Sequence, residues 1–249
     1  MNPEEYANLE ATERAHWYYA GKRELVRRWL GRLGALRREA RLLDVGAGTG
    51  MFATEMAAHC EVWMLDDHAE SLQRLRARFP AERVLEASGT GIPLPAASVD
   101  IVTALDVLEH IADDAAAVHD LARVLRPGGL AVITVPACMS LWSDWDVALH
   151  HHRRYDRSQL VARFTGPDWA IVHANYTNVL AFPAVWALRR LRRTRRQAGP
   201  RAEDRVPPAW LNRCLQSSYV ALALSRVRFP IGVSLLLIAR RRELRDAGN

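Results

Sequence analysis

The 249-residue sequence predicts an α/β chain, a doubly wound and mostly parallel sheet with helices on both faces. Three observations carry that reading. An apolar strand runs into a glycine-rich turn at Leu42-Leu43-Asp44-Val45-Gly46-Ala47-Gly48-Thr49-Gly50. Strand-like and helix-like segments alternate strictly from there to Val135. A last apolar strand, Val233 to Ala239, follows a long helical excursion.

Each element has its own signal. Leu25, Val26, Trp29, Leu30 and Leu33 recur at helical spacing, so Arg23 to Leu33 is expected to be an amphipathic helix that Gly34 stops. Glu61 to Leu65 reads as a short buried strand ending at Asp66 and Asp67. Leu72, Leu75 and Phe79 share one face of the next helix, which starts near Ala69 and ends at Pro80. Val84-Leu85 opens a third strand, and Val99 to Leu105 is a fourth, after the loop Ile92-Pro93-Leu94-Pro95. Asp113 is placed to cap a helix striped by Val118, Leu121, Ala122 and Leu125. Pro127-Gly128-Gly129 should end that helix before the strand Leu130 to Val135.

Beyond Pro136 the rhythm changes to a polar, aromatic and histidine-rich stretch, a helix from Arg157 to Phe164 and a strand near Ala170 to Tyr176. About fifty residues then precede the last strand, too many for a hairpin connection. They are read as an insertion with two helices, from Phe182 into an arginine block and from Ala209 to Arg226. The division expected is one domain: a helical cap (1–38), core (39–178), arginine-rich insertion (179–229), and last strand with tail (230–249).

A composition of 49% hydrophobic and 25% charged residues is that of a soluble globular chain. Cys60, Cys138 and Cys214 are odd in number and lack metal-type spacing, which argues against a disulfide framework or a structural zinc. The acidic start of the chain and the lack of an apolar run of ~18 residues predict a cytoplasmic setting. The net charge of +6 owes much to eight arginines between Arg189 and Arg205. Such a block is a solvated face, or meets phosphates of nucleic acid, lipid headgroups or an anionic substrate.

The glycines at positions 46, 48 and 50 let backbone pass close beneath a nucleoside-like ligand. A dinucleotide cradle would place its third glycine where Met51 stands. Asp66 lies 20 residues past Gly46 at the tip of the second strand, where a carboxylate accepts from ribose hydroxyls. Asp67 either helps or caps the following helix.

The glycine run, Asp66, Val107-Leu108-Glu109-His110 and Arg123-Val124-Leu125-Arg126-Pro127-Gly128-Gly129 together resemble the class I S-adenosylmethionine (SAM)-dependent methyltransferases over residues 40–136. The resemblance implies a seven-stranded Rossmann-like sheet with an antiparallel last strand. It also implies that Asp44, Gly46, Gly48 and Gly50 underlie the amino acid end of SAM, with Asp66 and Asp67 near the ribose. Leu105 and His110 would flank the methionine part, with packing as the other role open to His110. An acidic residue commonly holds the adenine amino group, and Ser88 with Gly89 stands there instead, so backbone groups must serve.

Two further stretches, His16-Trp17-Tyr18-Tyr19-Ala20-Gly21-Lys22-Arg23 and His151-His152-Arg153-Arg154-Tyr155, are similar to a narrower small-molecule subgroup. The first is expected to fold over the cofactor, with Lys22 or Arg23 meeting its carboxylate and Trp17 or Tyr18 shielding the sulfonium. His151 is the expected base, with Asp146 or Tyr155 as orienter or catalytic partner. Trp142, Trp145, His152, Arg153 and Arg154 are expected to contact a small-molecule acceptor. No metal is required for displacement from a sulfonium, which is already a good leaving group; His150 to His152 could also be read as metal ligands, which their divergent directions disfavour, or as a chemically silent surface loop. The product expected is an O- or N-methylated small molecule or lipid-linked acceptor. The other readings are RNA methylation through the arginine block and a non-catalytic SAM-binding module. Nucleic acid is not the expected partner, whereas the basic insertion suits a membrane surface.

Overall fold

The computed structural model describes residues 10–195 and 205–243. A first helix covers residues 10–15 (α1), and α2 spans Trp17–Arg32. Then follow β1 (Arg41–Val45), α3 (Met51–Met56), β2 (Glu61–Asp66), α4 (Ala69–Arg78), β3 (Val84–Glu86), β4 (Val99–Leu105) and α5 (Asp114–Val124). The second half comprises β5 (Leu125–Pro136), α6 (Asp144–Ala148), α7 (Arg157–Arg163), β6 (Trp169–Thr177), α8 (Phe182–Arg195), α9 (Ala209–Ala223) and β7 (Ser234–Arg241). Of the predicted cap, arginine block and tail, residues 1–9, 196–204 and 244–249 lie outside the described residues.

The strands form one seven-stranded sheet in the order β3-β2-β1-β4-β5-β7-β6, and β7 runs antiparallel to both of its neighbours. Strand periodicity sends alternate residues to opposite faces. Leu43 and Val45 join Leu235 and Leu237 in a core with α5, whereas Leu42 packs with Val62, Met64, Leu236 and Ile238 under α2, α3 and α9. Burial on both faces explains the near-continuous apolar strands.

Several boundaries differ from the sequence reading for local reasons. Helix α2 begins six residues before Arg23, because the His16 ring accepts from the Tyr18 amide and the aromatic turn packs on Tyr219 of α9. Asp113 caps α5 by accepting from the Ala116 amide at 2.9 Å, as expected. Pro127-Gly128-Gly129 does not end α5: the helix stops at Val124 and these residues lie inside β5. There Gly129 is pressed against Asp100, with a Cβ at that position falling 2.9 Å from the Asp100 carbonyl. Asp67 does not cap α4 either; His68 occupies that position and the two side chains pair at the surface. Helix α6 has its own capping box, in which the Ser143 amide and hydroxyl both donate to Asp146 Oδ2 at 2.8 and 3.0 Å.

Helices α8 and α9 stand between β6 and β7. Asn212 of α9 ties the start of α2 by accepting from the Trp17 amide at 2.9 Å and donating to the Ala15 carbonyl at 2.8 Å. Gly50 opens α3 with φ at 73°, and a Cβ there would stand 2.7 Å from Leu75. Gly50→Ala should therefore cost about 2 kcal/mol or more, the sum of a left-handed backbone penalty and overpacking. Urea denaturation of the variant checks this.

Candidate active site

A cavity of about 930 Å³ opens at the carboxyl ends of β1, β4 and β5. Helices α1 and α2 wall one side and Ala181, with Val185 and Arg189 of α8, another. This is the edge at which ligands bind in doubly wound sheets.

The turn after β1 forms the floor. Gly46 and Gly48 have φ of 68° and 54°, a region that side chains resist, and a Cβ on Gly48 would meet nothing nearer than 4.0 Å. Backbone is thus bared to the cavity. Asp66 lies behind the turn rather than on the cavity wall: its Oδ2 accepts from the Gly48 amide at 2.8 Å and its Oδ1 from the His68 amide at 3.0 Å. That carboxylate sets the shape of the turn. Asp44, buried beneath it, accepts from the Thr103 hydroxyl at 2.7 Å. Burial raises its pKa to about 7 against that hydrogen bond, with Asp66 and Glu13 adding to the rise. Glu13 accepts from the Thr49 hydroxyl, joining α1 to the turn.

Lys22 is buried against Asp106, whose Oδ1 also accepts from the Thr134 hydroxyl at 2.9 Å. Burial alone would lower the lysine pKa, but Asp106 outweighs it and the ammonium stays charged. The expectation that Lys22 stands ready for a cofactor carboxylate is corrected to this extent: here its charge is balanced by Asp106. Arg23 is likewise engaged, with Glu55 at 2.8 Å and the Glu13 carbonyl at 2.7 Å. Trp17, Tyr18 and Tyr19 all line the cavity, and the Lys22 ammonium lies 4.6 Å from the Tyr18 ring centroid.

The opposite wall holds Glu109, His110, Trp145, Asp146, His151 and Arg154. Asp146 Oδ1 engages His151 Nδ1 at 3.0 Å and accepts from Arg154 Nε at 2.7 Å. Burial would raise the Asp146 pKa, but these partners hold it well below the usual carboxylate range. His110 stands edge-on to His151, ring centroids 4.6 Å apart, and desolvation together with His151 pushes it down to about 4. Glu109 is fully buried, and burial and the nearby Asp106 charge keep its carboxyl protonated well above the ordinary range.

The expected acceptor residues divide by direction. His151, Arg154 and Trp145 face the cavity; Trp142, His152 and Arg153 do not. His152 is exposed, and Arg153 binds Asp114 at 2.9 Å and the Ala112 carbonyl at 2.7 Å. Tyr155, the expected catalytic partner, is turned into the core and does not line the cavity. It is 2% exposed, bridges to Ala137, and donates to Asp114 Oδ2 at 2.8 Å. Leu105 is on the wall, whereas Gly50, Asp67, Ser88 and Gly89 are not. Ser88 donates to the Thr90 carbonyl at 2.9 Å, and Gly89 gives room to Ile111, which a Cβ would meet at 2.3 Å. Glu13, Asp106, Glu109, Asn178 and Arg189 line the cavity without having been singled out in sequence. Two of them carried a signal: Glu109 as part of the stretch Val107 to His110, and Arg189 as the start of the arginine block.

Residues 43–133 match the methyltransferase domain family. A protein named a probable S-adenosylmethionine-dependent methyltransferase in Mycobacterium tuberculosis is 32% identical over 124 residues, covering 49% of this chain and 45% of that one. The chain thus spans less than half the length of this relative. A malonyl-(acyl-carrier protein) O-methyltransferase of Enterobacter lignolyticus is 34% identical over 164 residues, 61% of this chain and 65% of that protein. Among solved structures, a SAM-dependent methyltransferase of Thermotoga maritima superposes with a TM-score of 0.60 at 14% identity, covering 96% of both chains. In its fold, its bared glycine turn and the methyltransferase domain over residues 43–133, the chain is similar to the class I SAM-dependent methyltransferases. SAM is the cofactor of that class, and the side-chain-free surface at Gly48 fits it.

Asp66→Ala removes the acceptor for the Gly48 and His68 amides, so SAM affinity by calorimetry should fall at least ~10-fold, the loss of one charge-assisted bond. Asp44 gives a pH signature. The folded carboxyl keeps its proton to about pH 7, whereas an unfolded aspartate loses it near ~3.9. Ionisation therefore favours the unfolded chain as pH rises between those values. Asp44→Asn, which still accepts from Thr103, should gain stability over the parent through that window, by ~4 kcal/mol at most, and not below it. Urea titrations at pH 4 and pH 8 measure the difference.

Proposed function

We propose that the protein transfers the methyl group of SAM to an oxygen or nitrogen nucleophile of a small or lipid-linked acceptor. The observation that carries this reading is a single cavity with a backbone cradle on one side and a His151–Asp146 pair on the other. SAM supplies a methyl carbon on a sulfonium; the acceptor lone pair bonds to that carbon as the carbon–sulfur bond breaks, leaving its electron pair on sulfur.

The chain's own residues align the acceptor and handle its proton, which is what such a displacement needs. The proton leaves to His151, in the wall it shares with Glu109 and His110. There, Asp146 fixes the His151 ring through Nδ1 and leaves Nε2 to face the acceptor, a base-and-orienter arrangement. Trp17, Tyr18 and Tyr19 exclude water from the same space.

An oxygen nucleophile is supported by the Enterobacter relative, an O-methyltransferase by name. A lipid-linked acceptor is supported by α8, which lines the cavity with Val185 and Arg189 but exposes Trp186 and Leu191, with Arg190 5.6 Å from the Trp186 ring. Amphipathic helices with arginine and aromatic residues suit an anionic membrane surface. No helix among the described residues is long and apolar enough to cross a membrane.

His151→Asn should lower turnover on the order of 10²-fold, the usual contribution of a positioned base, while SAM affinity stays unchanged. Labelled SAM, incubated with the protein and a metabolite and lipid extract, reads both the product and its loss. Transfer at the parental rate in the variant would remove His151 from the reaction; failure to bind SAM in calorimetry would remove the methyltransferase reading itself.

A further inference from the structure

We propose that Glu109, His110 and His151 form a site for a divalent first-row cation, of the zinc type, in the wall of this cavity. The three residues each direct one ligand atom into a common space, and these atoms lie within 4.8 Å of one another. A bound ion at ~2.1 Å from each draws them to about 3.4 Å apart, a movement within side-chain reach.

The second observation is independent of that grouping. Glu109 is 0% exposed, and neither of its carboxylate oxygens meets a hydrogen-bond donor of another residue among the described residues. A buried carboxyl group without a hydrogen-bond partner is costly, and such groups are normally paired or coordinate metal, the ion then taking the place of the proton. The nearby side-chain cations do not fill the role: Lys22 is held by Asp106, and Arg154 and Arg189 by Asp146.

The surroundings match what a histidine-ligated ion requires. Metal-binding imidazoles usually give their other nitrogen to a carboxylate or backbone group, which fixes the ring. Here Asp146 holds His151 through Nδ1, and the backbone of Leu149 hydrogen-bonds His110. Two imidazoles and one carboxylate select borderline divalent ions over calcium or magnesium. The trio is also not the run of three consecutive histidines; only His151 of that run takes part.

Three protein ligands leave coordination positions open to the cavity, as in catalytic rather than structural sites. Resting on the methyltransferase reading, the ion's partner is an acceptor hydroxyl. Coordination lowers the pKa of that oxygen, its proton passes to solvent, and the oxygen then attacks the methyl carbon, so the ion does what a lone His151 base would do.

The test uses untagged protein stripped with chelator and titrated with Co²⁺, then Zn²⁺, without SAM. One equivalent of Co²⁺ should produce a visible ligand-field band that Zn²⁺ abolishes, and Zn²⁺ should raise the melting temperature. Glu109→Gln and His110→Ala should each weaken Co²⁺ binding at least ~10-fold, and Asp146→Asn, which loosens His151, by ~10-fold or more. Folding of each variant is read by circular dichroism; His110→Ala, at the cavity wall, keeps the test available if Glu109→Gln does not fold. No band and no melting shift at millimolar ion, or binding equal to the parent in Glu109→Gln and His110→Ala, overturns the site. SAM binding in the same protein without metal binding removes only the cation; metal binding without SAM binding removes the methyltransferase reading and leaves the cation site standing.

Discussion

The arrangement of the cavity depends on one ion pair between a buried lysine and a half-buried aspartate. Lys22, the only lysine in the sequence, leaves α2 to meet Asp106 just past the end of β4, and Thr134 of β5 donates to the same carboxylate. Three elements far apart in sequence are joined at one point under the roof of the cavity. A pair largely taken out of water contributes little net stability, yet removing either partner leaves an uncompensated charge in the cavity wall. Its value here is positional: α2 can sit over the sheet edge in one register only. Asp106 reaches the lysine from a left-handed backbone conformation, φ 59°, and such strained residues persist where surrounding contacts dictate them.

Around that point the cleft collects acidic groups whose charge is only partly answered. Asp44, Glu13 and Glu109 are all shifted upward by burial, while Asp106 is held low by Lys22 and Asp146 by its hydrogen bond with His151 and by Arg154. Carboxyls with environments pushed in opposite directions, side by side in a concave space, mark a site of chemistry more than of packing. The Asp66 carboxylate serves a different purpose. By accepting two backbone amides it fixes the turn that a ligand must lie upon, so the cofactor floor is set before anything binds.

The sheet was legible in the sequence because its strands are buried on both faces and its turns are punctuated by glycine and proline. Strand β4 matches its predicted bounds, and the antiparallel last strand followed from the family resemblance. The stretch after β5 was read less well. His151 to Tyr155 looks like one functional string, but the short bridge of Tyr155 to Ala137 and its bond to Asp114 turn the chain. His151 and Arg154 are thereby directed inward, His152 and Arg153 outward, and Tyr155 into the core. Side-chain direction in an irregular segment is set by such tertiary contacts, which no local periodicity encodes. Helix α6 had a local signal in Ser143 and Asp146, yet its five residues are too few for an apolar stripe. Lys22, Asp106 and Glu109 became a site only when crossover connections brought α2 and the end of β4 together.

The excursion that carries α8 and α9 leaves the sheet after Thr177 and returns at Ser234, and those two residues face each other on adjacent strands. Its two ends are therefore clamped at one rung of the ladder, whatever lies between. Closing a chain across a fixed gap becomes only slowly more costly as the segment lengthens. The portion that shapes the acceptor side is thus free to be rebuilt, shortened or extended in descendants of this chain while the glycine turn and its aspartate brace stay untouched. Divergence in what is modified can proceed without divergence in what donates the group.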